Sequence, residues 1–181
     1  MPQEPYQTLS SRVVWRTPWY TLREDRIRLP DGSDGVYTVV ERPGAVWIVP
    51  LLSDGRMVLI RNYRYTVRRW LWEVPAGGLP EDRTPEETAR KELSEEIGGQ
   101  ASGIELVATF YTSAGISNER AFVFLARGVT LGQPDREPTE VMERHIFPVS
   151  QVMQMIRDGT ISDGPSALAI LLCAPHFGFE W

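Results

Sequence analysis

The sequence is poor in the features that mark several classes of protein. Its 181 residues include one cysteine, Cys173, and two histidines, so neither a disulfide framework nor a CxxC zinc motif can form within one chain. Acidic residues outnumber basic ones by 24 to 19, and the formal charge of −5 disfavours broad nucleic-acid binding, which needs a basic field. Apolar runs long enough to span a bilayer and the regions of a signal peptide are both missing. We therefore expect a cytoplasmic protein that binds neither nucleic acid nor membrane.

The order of apolar segments and turn signals predicts an α+β domain. The dipeptide Asp31-Gly32 marks a turn between two short strands and predicts an N-terminal hairpin. Ala45–Leu52 is a nearly continuous apolar run, which is typical of a central strand buried on both faces. Residues 128–138 are polar and rich in turn formers, so we expect a mobile loop there. With helices predicted at 150–157 and 165–173, the order indicates a mixed sheet covered by helices.

One segment carries most of the chemistry. A glycine-rich loop at Gly77 leads into a predicted helix that contains Glu92, Glu95 and Glu96. Side chains three and four residues apart share one face of a helix, and their like charges repel unless a cation lies among them. Several hard oxygen donors on one face suit Mg²⁺ or Mn²⁺ and indicate metal-assisted chemistry on a phosphate substrate. Taken alone, the cluster is equally typical of a solvated helix face.

Both ends of this helix are marked in the sequence. Thr84 is a typical N-cap residue, Pro85 suits the first turn, and Glu87 completes a capping box with Thr84. The pair Gly98-Gly99 predicts the C-terminal end.

Several segments, in order along the chain, carry a resemblance to a known family. From Gly77 onwards the chain follows much of the box G-x5-E-x7-R-E-U-x-E-E-x-G-U, in which U is a bulky aliphatic residue. Around it lie R-N-Y-R at residues 61–64, E-V-P-A-G at 73–77, S-A-G-I-S-N-E at 113–119 and G-T-I-S-D at 159–163. Together these segments cover nearly the whole chain and resemble the Nudix hydrolases, in particular their ADP-ribose pyrophosphatase group.

The resemblance implies a fold and an organisation into two parts. Residues 44–181 are expected to form a Nudix α/β/α sandwich with a mixed sheet. Residues 1–43 are expected to form a small antiparallel β extension that binds the base and takes part in a homodimer. Trp15 and Trp19 fit a buried interface there.

The resemblance also implies the residues of a metal site. Glu92, Glu96 and the backbone carbonyl of Ala76 are expected to bind Mg²⁺, with Mn²⁺ as the alternative, and Glu95 is expected to act beside them in catalysis. A further glutamate from a late loop matches Glu140, as metal ligand or general base, with Glu137 as its competitor. The alternative for both loop residues is a plain polar loop.

Substrate-binding residues follow from the same resemblance. Arg64 is expected to bind the phosphates or the terminal sugar, and Glu119 the terminal ribose, within the loop that begins at Ser113. Trp19 or Tyr20 is expected to stack on the base. Each has a structural alternative: a surface arginine for Arg64, a turn cap for Glu119, and core or interface packing for the aromatic pair.

Four departures from the family pattern leave alternatives open, one of which is Gly99 at the last aliphatic position of the box. Arg83 replaces the first box glutamate, and Lys91 replaces the box arginine, so the catalytic glutamates lose their usual partner unless Glu81, Glu86 or Glu87 compensates. Ala114 stands where the ADP-ribose group has proline. The implied activity is hydrolysis of a nucleoside diphosphate sugar, ADP-ribose first, with GDP-mannose as the alternative substrate. A catalytically weak nucleotide-binding module is the alternative of another class.

Overall fold

The computed structural model of the protein describes residues 4–136 and 141–179, which form two compact units. The smaller unit consists of residues 4–44 and 111–120, and the larger unit contains the other described residues. The expected division into residues 1–43 and 44–181 placed residues 111–120 in the second part, whereas in the structure they belong to the smaller unit.

The N-terminal unit is a meander of three antiparallel strands, β1 (Gln7–Arg16), β2 (Thr21–Arg28) and β3 (Asp34–Glu41). The predicted turn between β2 and β3 is confirmed: the Asp31 carboxylate accepts from the backbone amide and the hydroxyl of Ser33, and Gly32 takes a φ of 85°. Residues 111–120 attach to β3, because the amide of Val40 donates to the carbonyl of Ile116 over 2.8 Å.

The larger unit is built on one mixed sheet. Its strands are β4 (Ala45–Leu52), β5 (Arg56–Arg64), β6 (Arg69–Glu73), β7 (Ala76–Gly78), β8 (Gly99–Gln100), β9 (Gly103–Tyr111), β10 (Arg120–Leu131) and β11 (Met142–Pro148). Its helices are α1 (Pro85–Ile97), α2 (Val149–Arg157) and α3 (Gly164–Cys173), and a short 3-10 helix follows at Ala174–Phe177. The sheet order is β11-β5-β4-β10-β8, with β6 beside β5, β7 beside β4 and β9 beside β10. Strands β4 and β10 run parallel, whereas β5 is antiparallel to β4, β6 and β11.

Alternation along the central strands buries both faces of the sheet. On β4, Val46 and Ile48 belong to the core that α1 covers, whereas Val49 and Leu51 belong to the opposite core, which α2 and α3 cover. Each fully buried aliphatic side chain of this size stabilises the fold by about 1.5–3 kcal/mol. The predicted mixed sheet covered by helices is confirmed, and it is an α/β/α sandwich.

One prediction about the chain between β10 and β11 was wrong. Residues 128–138 were expected to be a loop throughout, but β10 continues to Leu131. Thr130 and Leu131 pair with Gln100 and Gly99 of β8, so the partner strand keeps this polar stretch extended. A pairing partner of this kind overrides local composition.

Among the described helices, none combines the length and the apolar character that crossing a membrane requires.

Candidate active site

Glu92 and Glu96 lie against the loop that precedes α1. The amide of Ala76 donates to Glu96 Oε2 over 3.0 Å, and Glu96 is only 5% exposed. The Glu92 carboxyl group packs directly against Gly77, so closely that a Cβ at position 77 would overlap it. A residue without a side chain is therefore required there. The structure thus brings the predicted ligands Glu92, Glu96 and Ala76 together at one short loop.

Glu95 is held differently from its two neighbours. Its carboxylate forms an ion pair with Lys91, one turn earlier on α1, and both side chains are half-buried. Lys91 therefore meets an acidic partner, although as a point charge rather than as a planar fork. The acidic residues of the first turn are engaged elsewhere: Glu86 pairs with Arg90, and Glu87 closes the capping box.

An ion pair between β5 and β6 fixes the predicted phosphate-binding arginine. Arg64 donates from Nε and Nη2 to the two carboxylate oxygens of Glu73 over 2.8 and 2.6 Å, and Asn62 donates to the same carboxylate over 3.3 Å. Glu73 is 1% exposed, whereas Arg64 is half-exposed. Hydrogen bonding to Glu73 raises the pKa of Arg64. The nearby charges of Asp163 and Glu96 act in the same direction. A bidentate pair of this kind fixes the guanidinium in orientation as well as in charge.

A cavity of about 380 Å³ joins these features. Arg64, Ala76 and Glu96 all contribute to its wall. Phosphate oxygens suit a guanidinium, and a divalent cation bound to phosphate suits a carboxylate. The cavity therefore offers both groups that a diphosphate and its cation require. The other residues of its wall are Asn62, Tyr63, Tyr65, Val141 and Met142.

The donors at this loop fit a hard divalent cation. Glu92, Glu96 and the Ala76 carbonyl offer oxygen, which is the donor that Mg²⁺ and Mn²⁺ prefer. Within residues 4–136 and 141–179, no group of three or more His, Cys, Asp or Glu side chains is suited to hold a metal. Such a small set agrees with the behaviour of Mg²⁺, which keeps several waters and is bound through one or two carboxylates plus substrate phosphates.

Two predicted residues of the late loop, Glu137 and Glu140, lie outside the described residues. Their roles as metal ligand or general base stay predictions.

The predicted base-binding aromatic residues belong to the N-terminal unit. Trp19 is 73% exposed and Tyr20 is also exposed, at the turn between β1 and β2. The Thr17 hydroxyl oxygen accepts from the backbone amides of both residues over 3.2 and 3.0 Å. This exposure rules out a place in the core of the chain, and the predicted contact with a base stays a prediction.

Ser113 and Glu119, also in the N-terminal unit, hold the turn between β9 and β10. The carbonyl of Ser113 accepts from the amide of Ser117 over 2.9 Å. Glu119 is buried, where it accepts from the Thr112 hydroxyl over 2.8 Å and pairs with Arg42 over 2.9 Å. These contacts account for both residues structurally, and their predicted contacts with substrate stay predictions.

The groups that hold the C-terminal end of α1 were not predicted from the sequence. Arg136 and Arg144 donate to the carbonyls of Glu96 and Ile97. The arginines follow those residues by 40 and 47 positions, so no local spacing could have indicated the contacts.

Comparison with family models agrees with this geometry. Residues 41–167 match the model of the NUDIX domain, and residues 6–40 match the model of the nucleoside diphosphate sugar hydrolase N-terminal domain. Because the first match covers well over half of the chain, the protein belongs to the Nudix family and is a Nudix hydrolase. Members of this family generally use a divalent metal.

Relatives of known name align with most of the chain. The ADP-ribose pyrophosphatase of Mycobacterium tuberculosis is 33% identical over 174 residues, which cover 94% of this chain and 84% of the relative. The GDP-mannose pyrophosphatase of Klebsiella pneumoniae is 33% identical over 171 residues, which cover 84% and 83%. A crystal structure described as ADP compounds hydrolase aligns with a TM-score of 0.85 at 18% identity, over 97% of this chain and 96% of that one. This last likeness shows the fold.

Proposed function

We propose that this hydrolase cleaves nucleoside diphosphate sugars, and that ADP-ribose is its preferred substrate, giving AMP and ribose 5-phosphate. The observation that carries the proposal is the cavity that Arg64 shares with Ala76 and Glu96. The name of the Mycobacterium tuberculosis relative, which aligns with 94% of the chain, supports ADP-ribose in particular.

The proposed division of labour begins with the cation. Glu92, Glu96 and the carbonyl of Ala76 would hold Mg²⁺, with Mn²⁺ as a substitute. A bound divalent cation neutralises charge on the phosphate oxygens and lowers the pKa of the attacking water. Arg64, fixed by Glu73, binds the diphosphate oxygens through its charge.

The bond-breaking step needs a base as well as these groups. A water oxygen bonds to one phosphorus, the bond from that phosphorus to the bridging oxygen breaks, and the water gives up a proton. We assign the proton to Glu140, with Glu137 as its competitor, and place Glu95 beside the reacting group as a supporting carboxylate. General-base assistance of this kind contributes about 10²–10⁴-fold.

Residues of the N-terminal unit are proposed to select the rest of the substrate. The exposure of Trp19 and Tyr20 supports stacking on the base, since every nucleobase offers an aromatic face. Glu119 and the Ser113 loop are proposed to contact the terminal ribose.

GDP-mannose is the second candidate substrate. Ala114 in place of the proline of the ADP-ribose group and the name of the Klebsiella pneumoniae relative both favour it. A panel of nucleoside diphosphate sugars at millimolar Mg²⁺ separates the two. We expect the highest kcat/KM for ADP-ribose. A higher value for GDP-mannose would reverse the preference, and comparable values would indicate a broad enzyme.

The replacement of the box arginine by Lys91 favours a third candidate, a catalytically weak module that binds a nucleotide. Calorimetry tests it beside the panel. Tight binding of ADP-ribose without any product at millimolar Mg²⁺ or Mn²⁺ would favour that module over the enzyme.

Two further properties belong to the proposal. We expect a homodimer, because Trp15 is 63% exposed and Trp19 is even more exposed, which suits an interface. A monomeric mass in light scattering at micromolar concentration would contradict this. We also expect a cytoplasmic location. Burial raises the pKa of the Cys173 thiol to about 12, which keeps this lone cysteine in its unreactive form.

A further inference from the structure

The last turn of α1 has an unfavourable charge distribution. It carries Glu95 and Glu96 and no basic residue. The negative end of the helix dipole lies at the same place, so carboxylates lie close to carbonyls that cannot be paired within the helix itself. Without donors from elsewhere, such an end would fray.

Donors from the segment between β10 and β11, and from β11 itself, meet four consecutive carbonyls at this end. The carbonyls of Glu95, Glu96, Ile97 and Gly98 accept from Asp135 N, Arg136 Nε, Arg144 Nη1 and Gly132 N over 3.0, 2.8, 2.5 and 2.7 Å. We call the four donor residues the helix-end clamp. Two of its donors are guanidinium groups, which form stronger, charge-assisted bonds and oppose the negative end of the helix.

Arg136 has a special place in the helix-end clamp. Its Nε bonds the carbonyl of Glu96, and its Nη1 bonds the carbonyl of Met142 over 2.7 Å. Glu96 and Met142 both line the cavity that also contains Arg64. One planar guanidinium therefore ties the residue that carries the buried carboxylate to β11, which contributes another residue to the wall of the same cavity.

We propose that Arg136 is a positioning residue, which holds the backbone of Glu96 so that its carboxylate stays at the Ala76 amide. The catalytic consequence rests on the proposed function, whereas the fixing of the helix end does not. Loss of a group that orients a metal ligand typically costs about 10–100-fold in metal affinity or activity. Lysine would keep the charge but could not reproduce the planar fork that serves both carbonyls.

Three variants test the proposal: Arg136→Met, Arg136→Lys and, as control, Arg127→Met. Arg127 is a guanidinium of the same unit that bonds His176 Nδ1 over 2.9 Å. The Mn²⁺ affinity of each protein is measured by calorimetry, amide hydrogen exchange in the last turn of α1 by mass spectrometry, and kcat and KM by steady-state kinetics. We expect Arg136→Met to weaken Mn²⁺ binding about tenfold or more, to lower kcat rather than raise KM, and to speed exchange in that turn. Arg136→Lys should fall between wild type and Arg136→Met, and Arg127→Met should match wild type.

Unchanged exchange in the last turn of α1 in both Arg136 variants would overturn the inference. Faster exchange with Mn²⁺ affinity within twofold of wild type would also overturn it, because the arginine would then be purely structural. Failure of the proposed function has a different signature, since the wild-type protein itself would show no hydrolysis. In that case the exchange result alone decides whether Arg136 holds the helix end.

Discussion

The two ends of helix α1 are closed by different means. At the N-terminal end, Thr84 and Glu87 bond each other's backbone amides, so the cap is made by residues three positions apart. At the C-terminal end, the carbonyls from Glu95 to Gly98 depend on the helix-end clamp, whose members lie more than thirty residues along the chain. The end closed by neighbours carries no predicted ligand, whereas the end closed from a distance carries Glu96.

This contrast separates stability from activity. A local cap contributes to the free energy of unfolding and does not touch the cavity. The distant contacts fix the carboxylates, so we expect changes there to alter catalysis as well. Substitutions that perturb one end of α1 and leave the other end intact therefore test the contrast.

The largest effect is expected for Glu96→Gln at the C-terminal end. The variant keeps the shape of the side chain but loses its negative charge and one of the two oxygen atoms that could bind a metal. We expect kcat for ADP-ribose to fall by several powers of ten with the Tm little changed. Glu86→Gln makes the same chemical change near the other end, and it should leave kcat as in wild type. Near-normal turnover by Glu96→Gln would contradict the assignment of the site.

Gly98→Ala should have the next largest effect. Gly98 ends α1 with a φ of 65°, and a Cβ there would lie 2.5 Å from the carbonyl oxygen of Gly132. We expect a loss of about 2–4 kcal/mol in the free energy of unfolding, from backbone strain and overlap together, with a lower kcat. Gly159→Ala is a matched control, because Gly159 has a φ of 77° and open space around it. The free energy of unfolding of both variants is measured by chemical denaturation. Equal losses in the two variants would contradict the account.

Thr84→Ala tests the N-terminal end. Loss of an N-cap side chain costs about 1 kcal/mol of stability. We expect that decrease in urea denaturation and no change in kcat, while Thr84→Ser should retain most of the stability. A clear fall in kcat at a temperature where the protein stays folded would remove the contrast between the two ends.

The smallest effect concerns acid. Hydrogen bonds from Thr84 lower the pKa of Glu87 below its ordinary value. A lowered pKa in the folded state means that the stabilising contribution is present above the ordinary pKa and is lost as the pH falls through the folded-state pKa. The difference in stability between wild type and Glu87→Gln should therefore be largest near neutral pH and shrink in acid. Tm values measured across acid pH check this, and a difference that grows in acid would contradict it.

The same contrast explains what the sequence could predict. The capping box at Thr84, the C-cap at Gly98 and the buried strand Ala45–Leu52 all follow from local spacing or composition, and each is confirmed. Gly77 begins the motif in the sequence, and the structure supplies the reason for a glycine there, because the Glu92 carboxyl group occupies the space that a Cβ would need.

What could not be predicted depends on contacts between distant residues. Strand β10 extends into a stretch that looks like a loop because β8 pairs with its last residues. The partner of Arg64 could not be read from the sequence. The pairing of β5 with β6 sets Glu73 opposite Ile60, on the same face of the sheet as Arg64, and the Arg64 side chain bonds it from there. The proposed role of Arg136 depends on the pairing of β11 with β5, which places Met142 beside Asn62.

The most direct test of the central claim is the identity of the products formed from ADP-ribose by the wild-type protein. The reaction is run at millimolar Mg²⁺ and in excess chelator, and the products are identified by mass. The account predicts AMP and ribose 5-phosphate in equal amounts with Mg²⁺ and none with the chelator. Intact ADP-ribose under both conditions, or products that keep the diphosphate joined, would contradict it.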